Sequence, residues 1–176
     1  MTVKQIVNNT NYIWNKIITK LIKNNISIST MESCTAGLIA TLITNTEGAS
    51  SIMKGAYVTY SNEAKIQQGV PKKIIDKYGV YSKETSIEMA KACAKSYNAN
   101  IGIGITGVID RIDPCNITKD KPVFYTFYIN NKRYSYKIDS IPNIYTTRFD
   151  RKFYVANVIG KYLDDLIYRI DMIKEN

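Results

Sequence analysis

Glu32, Ser33, Cys34 and Thr35 stand side by side in "MESCTAGLIATLI", directly ahead of an apolar run at helical spacing. Serine and threonine at such a place serve as helix caps, because their oxygens accept from the orphan N–H groups of a first turn. The same N–H groups can also hold an anion or a developing oxyanion, which makes a hydroxyl or thiol there a candidate nucleophile. Two further segments end in groups able to do chemistry: "YSNEAK", with Tyr60 and Lys65, and "IGIGITG", with Thr106 and Gly107. Each follows a stretch that reads as a strand. In open α/β sheets ligands sit beyond the carboxyl ends of the strands, so the three segments are expected to converge on one pocket.

Histidine is absent from the 176 residues. That excludes Ser-His-Asp and Cys-His nucleophile systems and every His-ligated metal site. Proton transfer near neutral pH then falls to Lys, Tyr, Asp, Glu or Cys with a tuned pKa. If Ser33 is the nucleophile, the plausible bases are Lys65 and Tyr60; Cys34 is an alternative nucleophile. Taken singly, Lys65 reads as a solvated helix lysine, Tyr60 as a packing residue, and Cys34 and Cys93 as small buried side chains.

The elements that must position these groups follow from periodicity. A first helix is expected from about Val3 to Lys23, with Trp14, Ile17, Ile18, Leu21 and Ile22 on one face. "ISIST", starting at Ile26, alternates as a short strand, and Leu38, Ile39, Leu42 and Ile43 mark the next helix. "GAYVTYS" reads as a second strand, "NEAKIQQ" as a short helix, and Pro71 opens another helix ending near Gly79. A longer helix starts at Ser82, a capping serine with an acid two residues on, and carries Ile87, Ala90, Ala94 and Tyr97 toward the core. "IGIGIT" is a strand whose glycines let a neighbouring element approach closely. "VFYTFYINNKRYSYKI" is a hairpin with Asn130-Asn131 at its turn. A final long helix presents Ile159, Leu163, Leu166 and Ile170. Helices interleaved with strands, plus one hairpin, give a single α/β domain spanning residues 1–176 with a mixed sheet.

Composition is ordinary for a soluble globular protein, with 45% hydrophobic and 22% charged residues. No apolar run reaches the length of a membrane span, and the first 25 residues lack a signal peptide's apolar core, so a cytoplasmic location without membrane attachment is expected. Cys34, Cys93 and Cys115 show no paired metal spacing, which favours reduced thiols. The net charge of +9 suits an anionic small substrate. Its lysines form no aromatic-interleaved stripe and accompany an excess of Asn, Ile and Tyr typical of A/T-biased coding, so no specific nucleic-acid partner is expected.

The order of "ESCTAGLIA", "GASSIMKGAYVTYSNEAK" and "YGVYSKETSIEMAKACAKSYNANIGIGITG" resembles the CinA carboxy-terminal domain, the nicotinamide mononucleotide deamidase family. The family pattern reads approximately ESCTGG, GSS, VTYSNxAK, GxVSxExxxxMAxG and TGIAGP. The likeness spans residues 29–107 and continues weakly through "DKPVFYTFYI" and "TTRFDRKFYVANVIGKYL". It implies a three-layer α/β/α sandwich, assembly as a homo-oligomer, no cofactor and no metal. The implied reaction is hydrolysis of the carboxamide of a pyridine mononucleotide, giving nicotinate mononucleotide and ammonia. On that resemblance Ser33 is the nucleophile, Lys65 the base, and Tyr60 a relay or orienting group. Cys34, Thr35, Gly37, Thr106, Gly107 and Arg148 are then expected at the substrate.

The chain departs from the pattern in one region. Where the family has TGIAGPGG, it reads "TGVIDRIDPCNITKDKP", with Ile109, Asp110, Arg111 and Asp113 replacing glycines. Bulky side chains obstruct the close backbone approach that glycines permit. Ala36 also replaces the first glycine of ESCTGG, while Gly37 keeps the second. A rebuilt loop beside an intact serine segment allows a second reading, a non-catalytic nucleotide-binding or interaction module.

Overall fold

The computed structural model describes residues 2–109 and 122–174, with side chains described as far as residue 169. Helix α1 (Val3–Lys23) is capped by Thr2, which accepts from Gln5 N–H while the Gln5 side chain accepts from Thr2 N–H. Its buried stripe of Ile6, Thr10, Trp14, Ile17, Ile18 and Leu21 has the helical period that the sequence displays. Asn25, at a φ of 54°, turns the chain into the sheet.

The sheet contains β1 (Ile28–Glu32), β2 (Met53–Val58), β3 (Ile101–Gly107), β4 (Val123–Ile129) and β5 (Lys132–Ile138). Their order is β2-β1-β3-β4-β5. β1 pairs in parallel with both β2 and β3, and β4 and β5 extend the sheet antiparallel. The sheet is therefore mixed. β4 and β5 form the expected hairpin, with Asn130 and Asn131 at φ of 50° and 64°. Asparagine tolerates that left-handed turn, which suits the twist of the flanking strands.

Helices cover both faces. α2 (Leu38–Thr44), α1 and α6 (Arg148–Lys174) lie on one side; α3 (Asn62–Gln67), α4 (Lys72–Tyr78) and α5 (Lys83–Ser96) lie on the other. Each interface has its own core. Ile28, Ile101, Ile103, Ile105, Tyr125 and Phe127 pack toward α1 and α6, whereas Met31, Val70, Met89 and Cys93 pack around α5. This is the three-layer α/β/α sandwich. Trp14 joins the outer helices, donating its indole N–H to Ala156 O at 3.0 Å.

β3 shows why its sequence alternates isoleucine with glycine. The isoleucines fill the α1/α6 side, and a Cβ on Gly102 or Gly104 would collide with the backbone of α5 at Ala90 or Ser86. Helix α5 thus lies directly on the strand. The close approach selects small side chains for its inner face: Thr85, Ser86, Met89, Ala90, Cys93 and Ala94 are buried. Ile87 and Tyr97, expected in the core, lie at the partly exposed margin.

Two strand boundaries also differ from the sequence reading. β1 starts at Ile28 rather than Ile26, because Ser27 is still occupied by the Asn100 side chain, which accepts from both its N–H and its hydroxyl. β2 starts at Met53 and ends at Val58 rather than running from Gly55 to Ser61, because Ser61 leaves the sheet to cap α3. The alternating pattern marks extended chain, not where pairing begins and ends. Ile22 is only half-buried, and the side chain of Ile170 lies outside the described residues.

Candidate active site

β1 and β2 are parallel neighbours whose outgoing chains depart to opposite faces, β1 into α2 and β2 into α3. Diverging exits open a crevice at the carboxyl ends of the two strands, where α/β folds bind ligands. Ser33 leaves β1 here, its N–H held by Ile105 O at 3.1 Å. Thr59 leaves β2, its N–H held by Glu32 O at 2.8 Å.

Across the crevice, Lys65 of α3 donates from Nζ to Ser33 Oγ at 3.1 Å and to Thr59 O at 2.7 Å. Ser61 fixes the start of α3 by accepting from Ala64 N–H, and α3 aims Lys65 inward. Lys65 is only 1% exposed, and among the described residues it has no carboxylate partner. Burial without an opposing charge disfavours the ammonium form, and it pushes the Lys65 pKa down to about 8. An amine that deprotonates near neutral pH and touches a serine hydroxyl is equipped to take that hydroxyl's proton.

The turn after Ser33 is held from beneath. Glu32 is fully buried, and its carboxylate accepts from the N–H groups of Gly37 at 3.0 Å, Ile39 at 3.1 Å and Ala40 at 2.9 Å. The Thr30 hydroxyl adds a fourth bond. Glu32 thereby caps α2, whose N-cap residue is Gly37 and has no side chain to do so. Ala36 and Gly37 take left-handed φ of 50° and 89°, and Ala36 N–H closes the turn onto Ser33 O at 3.0 Å. Within this turn the N–H groups of Cys34 and Thr35 donate to no acceptor among the described residues.

The remaining expected residues divide. Thr106 follows Ile105, the register partner of Glu32, so it stands beside Ser33 at the strand ends; its hydroxyl, however, donates to Val80 O at 2.9 Å. Gly107, at a φ of 151°, is required by packing: a Cβ there would meet Pro122 O and Val123 Cα at 2.5 Å. Tyr60 is 61% exposed, and its hydroxyl accepts from Arg148 at 2.7 Å. Tyr60 and Arg148 therefore form a pair at the crevice mouth, and neither is bonded to Ser33 or Lys65. Thr35 is fully buried, yet its Oγ1 has no partner among the described residues, and the same holds for Thr59 Oγ1. A cleft of about 240 Å³ opens beside the turn, lined by Thr35, Gly37 and Leu38 and by Phe149, Lys152 and Phe153 of α6.

The Cys34 side chain faces away from the crevice. It packs in the core on the α1/α6 side, where burial pushes the thiol up to about 12. Just past the end of β1, the Ser33 side chain meets Lys65 while that of Cys34 enters the opposite core. The Cys34 thiol is thus a packing group. Cys115, Asp110, Arg111, Asp113 and most of the rebuilt loop lie outside the described residues.

Sequence reasoning passed over Glu32 and Thr59. The signal for Glu32 was a carboxylate at the end of a buried strand ahead of a helix starting at glycine, a helix therefore lacking a side-chain cap. Thr59 acts through a carbonyl, which no residue type signals. Among the described residues no group of acidic, Cys or His side chains is arranged to hold a metal, and no helix is long and apolar enough to cross a membrane.

Comparison with known proteins agrees with this architecture. The CinA C-terminal domain family matches residues 10–136. A CinA-like protein of Kosmotoga olearia is 42% identical over 120 residues, covering 66% of this chain and 28% of that protein. The competence/damage inducible protein CihA from Agrobacterium tumefaciens superimposes with a TM-score of 0.79 at 23% identity, over 90% of this chain and 95% of that one. A CinA superfamily protein from Escherichia coli gives 0.72 at 20% identity, over 86% and 89%. The chain belongs to the CinA C-terminal domain family. It spans under a third of the length of the Kosmotoga olearia relative.

Proposed function

We propose that the protein is a serine amidohydrolase that converts nicotinamide mononucleotide and water to nicotinate mononucleotide and ammonia. The observation that carries this reading is the hydrogen bond from buried Lys65 to Ser33 Oγ at 3.1 Å. The family resemblance supplies the substrate.

In the proposed sequence, neutral Lys65 takes the Ser33 proton as Oγ attacks the carboxamide carbon. The tetrahedral oxyanion is received by the N–H groups of Cys34 and Thr35, which have no other acceptor among the described residues. Collapse breaks the C–N bond as the Lys65 ammonium gives its proton to the departing NH₂ nitrogen, which leaves as ammonia. Water, deprotonated by Lys65, then attacks the Ser33 ester; the C–Oγ bond breaks and the Lys65 ammonium returns the proton to Ser33 Oγ, releasing the carboxylic acid, which ionises to nicotinate mononucleotide. Arg148 and Lys152, at the crevice mouth and beside the cleft, are suited to the substrate's phosphate.

Ammonia release from nicotinamide mononucleotide by the purified protein tests the reading. Release that disappears in Ser33→Ala is expected. The replacement of family glycines at 109–113 favours a second reading, a binding module without turnover. Nucleotide binding by calorimetry with no ammonia release would select it.

A further inference from the structure

We propose that Glu32 is the positioning residue of the Ser33 turn: its carboxylate sets the backbone that presents the serine and keeps the following N–H groups available. The inference rests on the reading of Ser33 as the nucleophile. Glu32 lies on the α1/α6 face of β1 and Ser33 on the other, so Glu32 touches no reacting atom. It acts through the three N–H groups of Gly37, Ile39 and Ala40, which its two oxygens draw back against the strand end.

That anchoring dictates the intervening chain. Only four residues separate Glu32 from Gly37, the first N–H it binds. A path so short must fold sharply, which it does through left-handed Ala36 and Gly37 and the bond from Ala36 N–H to Ser33 O. Ala36 accepts a conformation that costs a non-glycine residue about 1 kcal/mol, so the surroundings must impose it. Glu32 takes the Gly37, Ile39 and Ala40 donors of the first turn of α2 and Leu38 N–H goes to Thr35 O, while the N–H groups of Cys34 and Thr35 meet no acceptor among the described residues. The carboxylate does for α2 what an N-cap does, from five residues earlier, and leaves the turn's own donors unused.

Glu32→Gln retains the shape of the side chain but presents an N–H₂ where an acceptor is required. Glu32→Ala removes the anchor entirely. The test reads Ser33 in two ways: its rate of sulfonylation by phenylmethylsulfonyl fluoride, followed by mass spectrometry of the Ser33 peptide, and kcat and KM for ammonia release. Glu32→Gln, shown folded by its thermal transition, is expected to lower both the labelling rate and kcat by about 10²-fold, the cost of misplacing a reacting group by about an ångström. KM should change little, and the pH at which labelling is half-maximal should match the unaltered protein, because Lys65 is untouched. Folded Glu32→Gln that labels at the original rate overturns the inference, as does a shifted pH midpoint, which would mean that Glu32 acts through the charge on Lys65. Labelling that depends on Glu32, in a protein that releases no ammonia from nicotinamide mononucleotide, sustains the positioning role and removes the proposed substrate.

Discussion

Lys65 Nζ donates to Ser33 Oγ across the crevice between β1 and β2, and the same ammonium is anchored by Thr59 O. The pair joins residues 32 apart in sequence through the parallel pairing of β1 with β2 and the capped start of α3. Its chemistry depends on the charge state of one buried amine.

Activity should therefore rise with pH along a single limb centred near pH 8, where Lys65 loses its proton. A pH–rate profile of kcat/KM checks this. Lys65→Arg, permanently charged, should lower kcat by about 10²-fold or more at every pH.

The same shift has a stability consequence whose sign can be worked out. Lys65 ionises near 10.5 in the unfolded chain and near 8 when folded. Between those values the unfolded chain binds more protons, so its contribution to stability grows as pH rises and is fully present only above about 10.5. The span corresponds to about 3 kcal/mol. Cys34 and Cys93, held up at about 12 and 11, oppose the trend above pH 9, which makes the comparison with Lys65→Met the informative one. That variant should gain on the parent at pH 7, with the difference shrinking between pH 8 and 10.5 in urea titrations.

Adjacent residues should separate cleanly. Ser33→Ala should abolish turnover with the fold intact, while Cys34→Ala should keep most activity and lose about 1 kcal/mol of stability through the vacated core volume. Activity lost only in the cysteine variant would reverse the assignment.

The pair at the crevice mouth should act on binding. Arg148→Ala should raise KM about tenfold with kcat within a few-fold, as expected for a charged hydrogen bond to substrate. Tyr60→Phe removes one acceptor of Arg148 and should reproduce part of that rise. A Tyr60→Phe loss confined to kcat would instead make Tyr60 a proton relay.

Gly104→Ala would drive a methyl group into the α5 backbone at Ser86 and Ala90. A loss of about 1–3 kcal/mol is expected in chemical denaturation. Ser86→Ala should not rescue it, since the obstruction is backbone.

The helices were legible because their buried faces repeat with a helical period; α1 and α6 carry the clearest examples. The glycines of β3 announced a close neighbour before that neighbour was known. Boundaries were less legible, since the limits of β1 and β2 are set by Asn100 and Ser61, partners that alternation does not encode. Within the site, Ser33 and Lys65 stood out by residue type and family wording. Glu32 did not, because its role lies in the amides of residues 37–40, which any sequence would supply. The Cys34 thiol faces the α1/α6 core, away from Ser33, and no residue type in the sequence signals that.

The opposite facing of Ser33 and Cys34 gives the protein an internal standard. A Ser33→Cys variant would carry two thiols one peptide bond apart, one beside the Lys65 amine at the crevice, the other sealed in the α1/α6 core. Alkylating reagents would meet a reactive and an inert sulfur on the same tryptic peptide. Their labelling ratio would report on the crevice independently of protein concentration, and labelling of the inert sulfur would reveal any unfolded molecules in the sample.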